Sequence, residues 1–412
     1  MERQLRLGYH SRSAGIEIQS RQTEKITQPE QGFAPIAMRI GIDGRAIRPE
    51  PDGIGRYSQQ LIRSIAAAFP QAELLVWCLP SGREVLPSLP QVQPILCNRH
   101  HLSRFTTRGF ARIVNAAKVD LFHSPFFLAP WKADCPILVT VHDLMALEMP
   151  DFFDDSHPLV AWCKRSFHRR YVLHSLEVAD RVLAVSRWVA QRVEAQGVSR
   201  DKIRVLPNSV DLRFTAASSG SDHEHLRSLD LSPGFFLHVG RWKRYKNLPF
   251  LLEAYQKYLA RTAREPLPLV LCRGGGTDRR VDRVLNQLRL REHVRVLQHI
   301  PDALLPAAYR AATALLQPST CEGFGLPVME AMACGTPVAS SNGGALPEVC
   351  GDAGLILDAQ DMQAWAEALE RLATEPDLRA DLRAKGLVQS TQFRPEQMTK
   401  SIAGIYGELW QQ

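Results

Sequence analysis

The sequence predicts an α/β protein of two domains, each built around a parallel β-sheet. Strand-like apolar segments alternate with helix-like segments in both halves of the 412-residue chain. Such alternation is typical of βαβ units, whose strands lie parallel and whose helices cover the faces of the sheet. A stretch rich in Ser, Gly and Asp, from Ala216 to His225, interrupts the alternation. We therefore expect two Rossmann-like domains that face a central cleft.

The first half contains six strand-like segments, of which the first, R-I-G-I-D-G-R, directly follows Met38. We predict strands at 39–44, 74–79, 119–124, 136–142, 181–186 and 203–207. We predict helices at 55–69, 103–117, 157–179 and 187–196. The first domain is expected to span residues 38–212. Residues 1–37 are polar and unpatterned, and we expect a flexible tail or a misassigned start there.

The second half repeats the alternation after a linker that we predict at residues 213–232. Its strands are predicted at 235–240, 268–272, 294–298, 312–318, 336–341 and 354–357. Helices are predicted to begin at Leu248, Asp278, Asp302, Leu326 and Asp361. The second domain is expected to span residues 233–392. The last helix, at residues 393–412, is expected to cross back to the first domain.

The composition is that of a globular protein, which we expect to be made and kept in the cytoplasm. Hydrophobic residues make up 45% and charged residues 23% of the chain, which is enough for two separate cores. No apolar run approaches the ~18 residues needed to span a bilayer, and no secretory signal is recognisable. The eight cysteines are scattered without a C-x-x-C pair. We therefore expect reduced cysteines and no zinc site.

The net charge of +7 is concentrated in two basic segments. The first contains Arg99, Arg104, Arg108, Arg112 and Lys118, and the second contains Lys164, Arg165, Arg169 and Arg170 among aromatic residues. Helical spacing would place the second set of cations beside the rings, as on a helix that rests on an anionic membrane surface at the inner face of the cytoplasmic membrane. A solvated helix face explains the pattern equally well. Nucleic acid is not expected as a partner, because no known nucleic-acid-binding motif accompanies the charge.

The segment that is most informative about chemistry is residues 320–335, T-C-E-G-F-G-L-P-V-M-E-A-M-A-C-G. Its glycines suit a loop after a strand, and Pro327 can begin a helix because its missing N–H costs nothing there. The free N–H groups of such a helix start suit a phosphate. Glu322 in the loop could accept hydrogen bonds from sugar hydroxyls, and Glu330 in the helix could bind a ribose diol. A helix cap followed by an ordinary helix residue is the competing interpretation.

Cationic residues follow the first strand of the second half, in G-R-W-K-R-Y-K-N. Ligands of parallel sheets bind beyond the carboxyl ends of the strands. Arg241 and Lys246 could therefore neutralise a diphosphate and stabilise it as a leaving group. Solvated loop charges are the competing interpretation. The glycines of C-R-G-G-G, residues 272–276, permit close approach of a ligand but are a weak signal.

The first half offers a second glycine loop, P-D-G-I-G-R-Y, with Gly53 and Gly55. Such a loop can bring backbone N–H groups near a phosphate. It lacks the G-x-G-x-x-G spacing, so a hydride-transferring dinucleotide enzyme is not supported. Another strand ends in V-T-V-H-D-L, where His142 beside Asp143 is as well explained by ligand contact as by a structural role. His123 occupies a similar position.

Metal-ion chemistry has little support in the sequence. No D-x-D triplet occurs, and the acidic run at residues 151–155 has no His or Cys nearby. We therefore expect a diphosphate held by Arg241 and Lys246 in place of a metal ion, and no cofactor.

Together these segments resemble the retaining glycosyltransferases of family GT4, which have the GT-B fold of two Rossmann-like domains. The resemblance runs from Met38 to the C-terminus. It is strongest in G-R-W-K-R-Y-K-N, in the E-x7-E segment from Glu322 to Glu330, and in G-G-A-L-P-E-V with Glu348. It implies a hexosyltransferase whose nucleotide-sugar donor is bound mainly by the second domain and whose acceptor is held by the first. The first domain is most similar to bacterial mannosyltransferases of surface polysaccharide assembly, which implies GDP-mannose, with UDP-glucose or UDP-N-acetylglucosamine as the next expectation.

The resemblance also assigns roles to residues. Arg241 and Lys246 would bind the donor diphosphate, Glu322 the hydroxyls of the donor sugar, and Glu330 the ribose. His142 would lie near the transferred sugar. Further donor contacts are implied for Gly55, Gly240, Arg273, Ile300, Pro301, Phe324, Gly325 and Leu326. The leaving phosphate itself would take the acceptor's proton, so neither a side-chain nucleophile nor a metal ion would be needed.

Three positions depart from the family pattern. Asp52 stands where the phosphate loop often has a glycine, Ser209 replaces the glycine of a common N-G-V-D turn, and His299 stands where a glycine is frequent. The first change affects the phosphate loop. The other two lie near the hinge and the base pocket, and they leave the identity of the base open.

The sequence thus predicts a transferase that extends a cell-surface glycan on a lipid carrier or on a lipopolysaccharide core. A nucleotide-sugar epimerase of the same fold is the second hypothesis, and it would need acid and base groups on the sugar ring but no acceptor site. A catalytically silent sugar-nucleotide sensor is the third. The presence of both Lys246 and Glu322 argues against it.

Overall fold

The computed structural model describes residues 38–50, 52–98, 108–149, 152–153, 157–218, 220–276 and 279–410, and the description below concerns these residues. The tail expected at residues 1–37, the beginning of the helix predicted at 103–117 and most of the acidic run at 151–155 lie outside them. So do Arg99 and Arg104 of the first basic segment.

Seven parallel strands form the sheet of the first lobe, which is the part of the chain built around this sheet. The strands are β1 (Arg39–Asp43), β2 (Glu73–Cys78), β3 (Val92–Leu96), β4 (Leu121–Ser124), β5 (Ile137–Val141), β6 (Arg181–Ala184) and β7 (Ile203–Val205). Their spatial order is β3-β2-β1-β4-β5-β6-β7, so the order reverses between β1 and β4. The loops after two such strands diverge and leave a crevice at the carboxyl edge of the sheet.

Six parallel strands form the sheet of the second lobe. They are β8 (Phe235–Trp242), β9 (Leu269–Gly276), β10 (Val294–Leu297), β11 (Ala312–Gln317), β12 (Val338–Ser341) and β13 (Leu355–Leu357). Their order is β10-β9-β8-β11-β12-β13, with the reversal between β8 and β11. The sequence L-V-L-C in β9 is apolar throughout because helices cover both faces of the sheet. The predicted α/β class with two parallel sheets is confirmed.

Fourteen helices are assigned among the described residues. In the first lobe and the connection they are α1 (Gly53–Ala68), α2 (Arg108–Ala116), α3 (Met145–Glu148), α4 (Pro158–Val178), α5 (Arg187–Ala195) and α6 (Asp222–Ser228). The others are α7 (Leu248–Arg261), α8 (Arg279–Gln287), α9 (Leu305–Ala311), α10 (Leu326–Ala333), α11 (Leu346–Cys350), α12 (Met362–Thr374), α13 (Pro376–Ser390) and α14 (Pro395–Trp410). None of the described helices is long and apolar enough to cross a bilayer.

The structure differs from the sequence prediction in a few elements. Strand β3 was not predicted, because Pro94 and the exposed residues beside it weaken the signal of this edge strand. Helix α6 lies inside the segment predicted as linker, and α3 is a single turn that was not predicted. Helix α9 begins at Leu305, three residues after the predicted start at Asp302.

Helix α14 lies against the first lobe, although it follows the second lobe in sequence. Its residues Ile402 and Tyr406 are fully buried in one core cluster with Leu61 of α1 and Ile40 of β1. The Val210 N–H donates to the Phe393 carbonyl at 2.8 Å, which ties the chain entering α14 to the segment that leaves the first lobe.

The two lobes share one continuous apolar core. Val141 and Val189 of the first lobe belong to the same cluster of buried residues as Phe324, Met329 and Leu346 of the second. This packing brings the carboxyl edge of the first sheet close to the loops that follow β8 and β11.

Candidate functional site

The loop between β11 and α10 is fixed by contacts with both lobes. Gly325 takes φ +112° just before α10, and Pro327 follows in the first turn, so the helix starts where the sequence predicts. A side-chain carbon at Gly323 would overlap the backbone oxygen of His142, so only glycine fits there. The Ser186 hydroxyl donates to the Gly323 carbonyl at 2.8 Å. The loop that carries Glu322 therefore touches the end of β5.

Glu322 is buried and held by three hydrogen-bond donors. Its Oε1 accepts from Lys246 Nζ at 2.6 Å, from Gln317 Nε2 at 2.7 Å and from the Ser319 hydroxyl at 2.6 Å. Glu322 is 7% exposed and Lys246 8% exposed, so the ion pair is shielded from solvent and rigid. No described residue donates to Oε2, which stays available to a ligand hydroxyl.

Two backbone hydrogen bonds hold this loop against the neighbouring turns. The Thr320 N–H donates to the Tyr245 carbonyl at 2.7 Å, and the Ala345 N–H donates to the Glu322 carbonyl at 2.8 Å. Glu348 does not face a ligand. Its carboxylate accepts from the N–H groups of Arg187 and Trp188 at 3.0 and 3.2 Å, and so caps helix α5 of the other lobe.

Arg241 lies opposite the first-lobe glycine loop. Its guanidinium is 56% exposed and 3.8 Å from the carboxylate of Asp52. Asp52 is the N-cap of α1, and its Oδ1 accepts from the Gly55 N–H at 3.1 Å. The Gly55 amide expected to approach a phosphate therefore already has an acceptor. Gly53 faces the second lobe, with Leu326 near its α-carbon.

His142 and Asp143 end β5 beside the Glu322 loop. Since a carbonyl can only accept, the 2.9 Å contact with the Pro125 carbonyl places the imidazole proton on Nε2. Desolvation lowers the pKa of His142 to about 4, so the ring is neutral near pH 7. Its edge packs against the Tyr57 ring at 4.7 Å. Desolvation also raises the pKa of Asp143 to about 6, with a further increase from nearby Glu322.

Glu330 lies on α10, where both of its oxygens have protein partners. Arg56 of α1 donates to Oε1 at 3.1 Å, and the Tyr309 hydroxyl donates to Oε2 at 2.8 Å. Arg56 also pairs with Asp302. Burial raises the pKa of Glu330. A ribose at Glu330 would therefore replace or share these partners.

Buried His238 lies under the turn that carries Lys246. Its Nδ1 donates to the Leu316 carbonyl at 2.9 Å, so Nε2 carries no proton and keeps its lone pair. Desolvation lowers the pKa of His238 to about 4. Both Nε2 and the Lys246 side chain face Gly240. Gly240 is close to Gly274, which joins the C-R-G-G-G segment to the site.

Further residues expected to bind the donor lie in the second lobe. Arg273 is 3.3 Å from Gln298 and lies over the Trp242 ring, while Ile300 is buried and Pro301 is exposed. Phe324 packs edge-on against Phe393 at 5.5 Å. Leu326 and Glu330 line a cleft together with Arg56 of the first lobe.

The structure thus brings Lys246, Glu322 and Gly240 together and places His142 beside their loop, with Arg241 opposite α1. Arg273, Ile300 and Pro301 lie farther along the second sheet. Sequence reasoning missed Arg56, Asp302 and His238. Arg56 follows the glycine loop directly, which was the only signal for it. In the described part of the chain, no three His, Cys, Asp or Glu side chains group as a metal site requires.

Two family models match the chain. The model described as Glycosyltransferase Family 4 matches residues 51–214, and the model described as Glycosyl transferases group 1 matches residues 225–388. The O-antigen chain mannosyltransferase B of Escherichia coli is 30% identical over 394 residues, which are 90% of this chain and 99% of that protein. The D-inositol 3-phosphate glycosyltransferase of Corynebacterium jeikeium is 29% identical, over 70% of this chain and 72% of that protein.

Solved structures share the fold. Sucrose-phosphate synthase from Thermosynechococcus elongatus superposes with a TM-score of 0.70 at 22% identity, over 90% of this chain and 99% of the other. HepE from Anabaena, solved with UDP and glucose, gives 0.69 at 18% identity, over 90% and 100%. The chain belongs to glycosyltransferase family 4 and has the GT-B fold. It is a glycosyltransferase, as the sequence predicted.

Proposed function

We propose that the protein transfers a hexose from a nucleotide sugar to a glycan or lipid-linked acceptor during assembly of a cell-surface polysaccharide or lipopolysaccharide. The observation that carries the proposal is the buried pair of Lys246 and Glu322 at the carboxyl edge of the second sheet. One partner suits a phosphate and the other suits sugar hydroxyls, so the pair fits the junction between the sugar and the diphosphate of such a donor.

The diphosphate would be bound by Lys246 and Arg241. Arg241 is exposed and can move toward a ligand, whereas Lys246 is fixed by Glu322. Both cations would stabilise the negative charge that grows on the leaving phosphate. A metal ion is not part of the proposal.

The chemical step that we propose is a transfer with retention of configuration. The bond between the anomeric carbon and the phosphate oxygen breaks, and the acceptor oxygen forms the new bond on the same face of the sugar. The acceptor's proton passes to the leaving phosphate oxygen. The neutral His142 imidazole, whose Nδ1 has no hydrogen-bond partner among the described residues, would accept a bond from a hydroxyl of the transferred sugar.

GDP-mannose is the donor that we propose first. Support comes from the relative named O-antigen chain mannosyltransferase B, which matches 90% of this chain. A UDP-sugar is the second candidate, because a protein of the same fold was solved with UDP and glucose. For the acceptor we propose a surface glycan or its lipid-linked precursor, again from the first of these relatives.

We further propose that the first lobe rests on an anionic membrane surface through the first turns of α4. Leu159 and Trp162 are each 64% exposed and Val160 is 46% exposed. The cations Lys164, Arg165, Arg169 and Arg170 follow on the same helix, while the first acidic residue is Glu177. An apolar tip beside a basic face suits a lipid interface. Such a surface would bring a lipid-linked acceptor to the enzyme.

The test is transfer with a panel of GDP- and UDP-sugars, comparing the wild type with Lys246→Ala and Glu322→Gln. We expect kcat/KM to fall by about 10²–10³ in each variant, because charge stabilisation and sugar positioning are lost. The anomeric proton of the product, observed by NMR, reports retention. Lys385→Ala is the matched control, since this exposed lysine on α13 forms an ion pair with Asp381 of the same helix. Full activity in both site variants would contradict the proposed site.

A further inference from the structure

We propose that an aromatic wall in the first lobe binds the acceptor as a pyranose sugar, stacked on ring faces and hydrogen-bonded at its edges. This inference rests on the proposed function and names the acceptor site. The aromatic wall consists of Phe126, Phe127, Trp131, Phe152, Phe153, Phe167, His168 and Tyr171. Two ends of the wall lie next to residues of the proposed donor site.

One end of the aromatic wall begins next to Lys246. The Tyr245 ring stacks on the Phe152 ring, with centroids 6.2 Å apart and planes 5° apart. Phe152 meets Phe153 edge-on at 5.0 Å, and Phe153 lies 5.2 Å from His168 of α4. The rings therefore lead from the proposed diphosphate site to α4.

The other end begins next to His142. The Pro125 carbonyl accepts from His142 Nε2, and Phe126 and Phe127 follow at once in the chain. Their rings are 3.8 Å apart, and Phe127 lies 5.3 Å from His168. Both ends thus meet at His168. An acceptor on the wall would sit next to the sugar that is transferred.

The wall continues along α4 to the loop after β4. Phe167 lies 4.2 Å from Tyr171, and Tyr171 lies 5.8 Å from Trp131. The Arg170 guanidinium lies over the Trp131 ring at 5.8 Å. This stretch extends the rings beyond His168, where a second sugar residue of an acceptor glycan could stack.

Most rings of the wall are only partly buried, unlike the aromatic residues of the lobe's core. Trp77, Phe110 and Phe122 are fully buried and pack in one cluster. Phe126, Trp131, Phe152, Phe167 and Tyr171 are half-buried and belong to no core cluster of the described residues. Groups of half-exposed rings are a typical lining of ligand sites.

Two polar atoms of the wall lack a partner among the described residues. Trp131 Nε1 and His168 Nδ1 are buried and make no hydrogen bond to any residue that the structure describes. Leaving such atoms unpaired is costly. A purely hydrocarbon ligand would leave them unpaired. A pyranose pairs them through its hydroxyls while its C–H face covers the rings, so a sugar fits both features.

The first arm of the test measures binding without turnover. Saturation-transfer NMR with methyl α-D-mannopyranoside and methyl α-D-glucopyranoside avoids an aryl group that would bind rings on its own. We expect weak binding to the wild type and about tenfold weaker binding to Phe152→Leu and Tyr171→Leu, because a stacking contact is lost. Phe250→Leu is the matched control, since Phe250 is a half-buried ring in the second lobe.

The second arm measures donor hydrolysis without acceptor, which Tyr171→Leu should leave within about twofold of the wild type, because Tyr171 lies beside Phe167 and Trp131 and not beside Tyr245. If the wild type hydrolyses a nucleotide sugar but binds neither glycoside, or if the wall variants bind as tightly as the wild type, the aromatic wall is not the acceptor site. If the glycosides bind at the wall but no nucleotide sugar is used, the wall stands and the proposed function fails.

Discussion

Asp52 is the residue whose charge is hardest to reconcile with an anionic donor. Its carboxylate accepts from the Gly55 N–H and faces Arg241 at 3.8 Å. Both partners are groups that a diphosphate would use. Asp52 therefore holds them in place in the free protein but repels the phosphate that replaces it. As the N-cap of α1 it also stabilises that helix.

We predict that Asp52→Asn lowers the donor KM by about two- to fivefold, because the amide keeps the cap and removes the charge. Steady-state kinetics at low salt and at about 0.5 M salt would test this, because dissolved ions screen the charge of Asp52 and should reduce the effect. At salt concentrations on the order of 1 M, the screening length is ~3 Å. Asp52→Ala is the comparison that loses the cap, which should cost about 1 kcal/mol of unfolding free energy. A raised KM in Asp52→Asn would instead mean that the carboxylate orients Arg241 for the donor.

The sequence singled out residues where charge and strand ends coincide, and their roles at the site stay predictions. Glu322 and Lys246 follow strands and carry charge, and the structure pairs them at 2.6 Å. The sequence did not indicate that Arg56 donates to Glu330 across the cleft, because a partner 274 positions away leaves no local pattern. Nor did it suggest that Glu348 caps a helix of the other lobe.

Helix α4 combines an exposed apolar tip with a basic face. Trp162 and Leu159 lie within its first two turns, and each is 64% exposed. Exposed large apolar residues that lie beside cations are favoured at a lipid interface, where each Lys or Arg near an anionic surface adds about 1 kcal/mol.

We predict that the double variant Leu159→Gln and Trp162→Gln binds vesicles of phosphatidylglycerol and phosphatidylcholine at least about tenfold more weakly than the wild type, because two apolar side chains that would insert into the lipid are lost. Co-sedimentation at low and at high salt measures this. Val388→Gln is the matched control, an apolar residue on α13 that is 69% exposed. Binding that ignores both the substitutions and the anionic lipid would contradict a membrane role for α4.

Elements were predictable where apolar periodicity is strong and local. Helix α1, with its glycine loop, and the strands around β8 and β11 are close to their predicted positions. Strand β3 was missed because an edge strand with Pro94 need not alternate or stay apolar. Helix α6 was missed because its stability comes from tertiary contacts, among them the ion pair of Asp222 with Arg310 of α9.

At the scale of the whole molecule, imidazoles whose pKa is lowered by desolvation make stability depend on pH. Desolvation lowers the pKa of His123 to about 3 and those of His142 and His238 to about 4. In the unfolded chain each histidine takes up a proton near pH 6.5, which the folded protein does not do. Unfolding is therefore favoured as the pH falls from about 6.5 toward 4. Asp143, whose pKa is raised to about 6, opposes this in part.

We predict that the urea concentration at the unfolding midpoint decreases as the pH is lowered from 7 to 5. Each imidazole should lower the free energy of unfolding by up to about 1.4 kcal/mol per pH unit below 6.5. Equilibrium unfolding at several pH values checks the slope. His238→Asn should retain a donor to the Leu316 carbonyl and reduce the slope, since one of the imidazoles with a lowered pKa is removed. A midpoint that is constant or rises on acidification would show that the carboxyl groups dominate.

The two-sheet architecture was predictable because strand and helix alternate in both halves, and parallel sheets follow from that pattern. The shared core between the lobes was not, since Val189 and Phe324 join the same cluster from distant parts of the chain. Contacts between lobes depend on surface shape, which periodicity does not encode.

The return of α14 to the first lobe has a consequence for synthesis on the ribosome. Met398, Ile402, Tyr406 and Leu409 are buried beside Ile40 and Leu61, which are among the first residues of the described chain to be made. The first lobe cannot complete its core until the last helix has emerged. During most of translation, α1 therefore exposes apolar surface that later residues will cover, while the second lobe can pack its own sheet. The apolar residues of β1 and α1 therefore stay partly uncovered until α14 has been made.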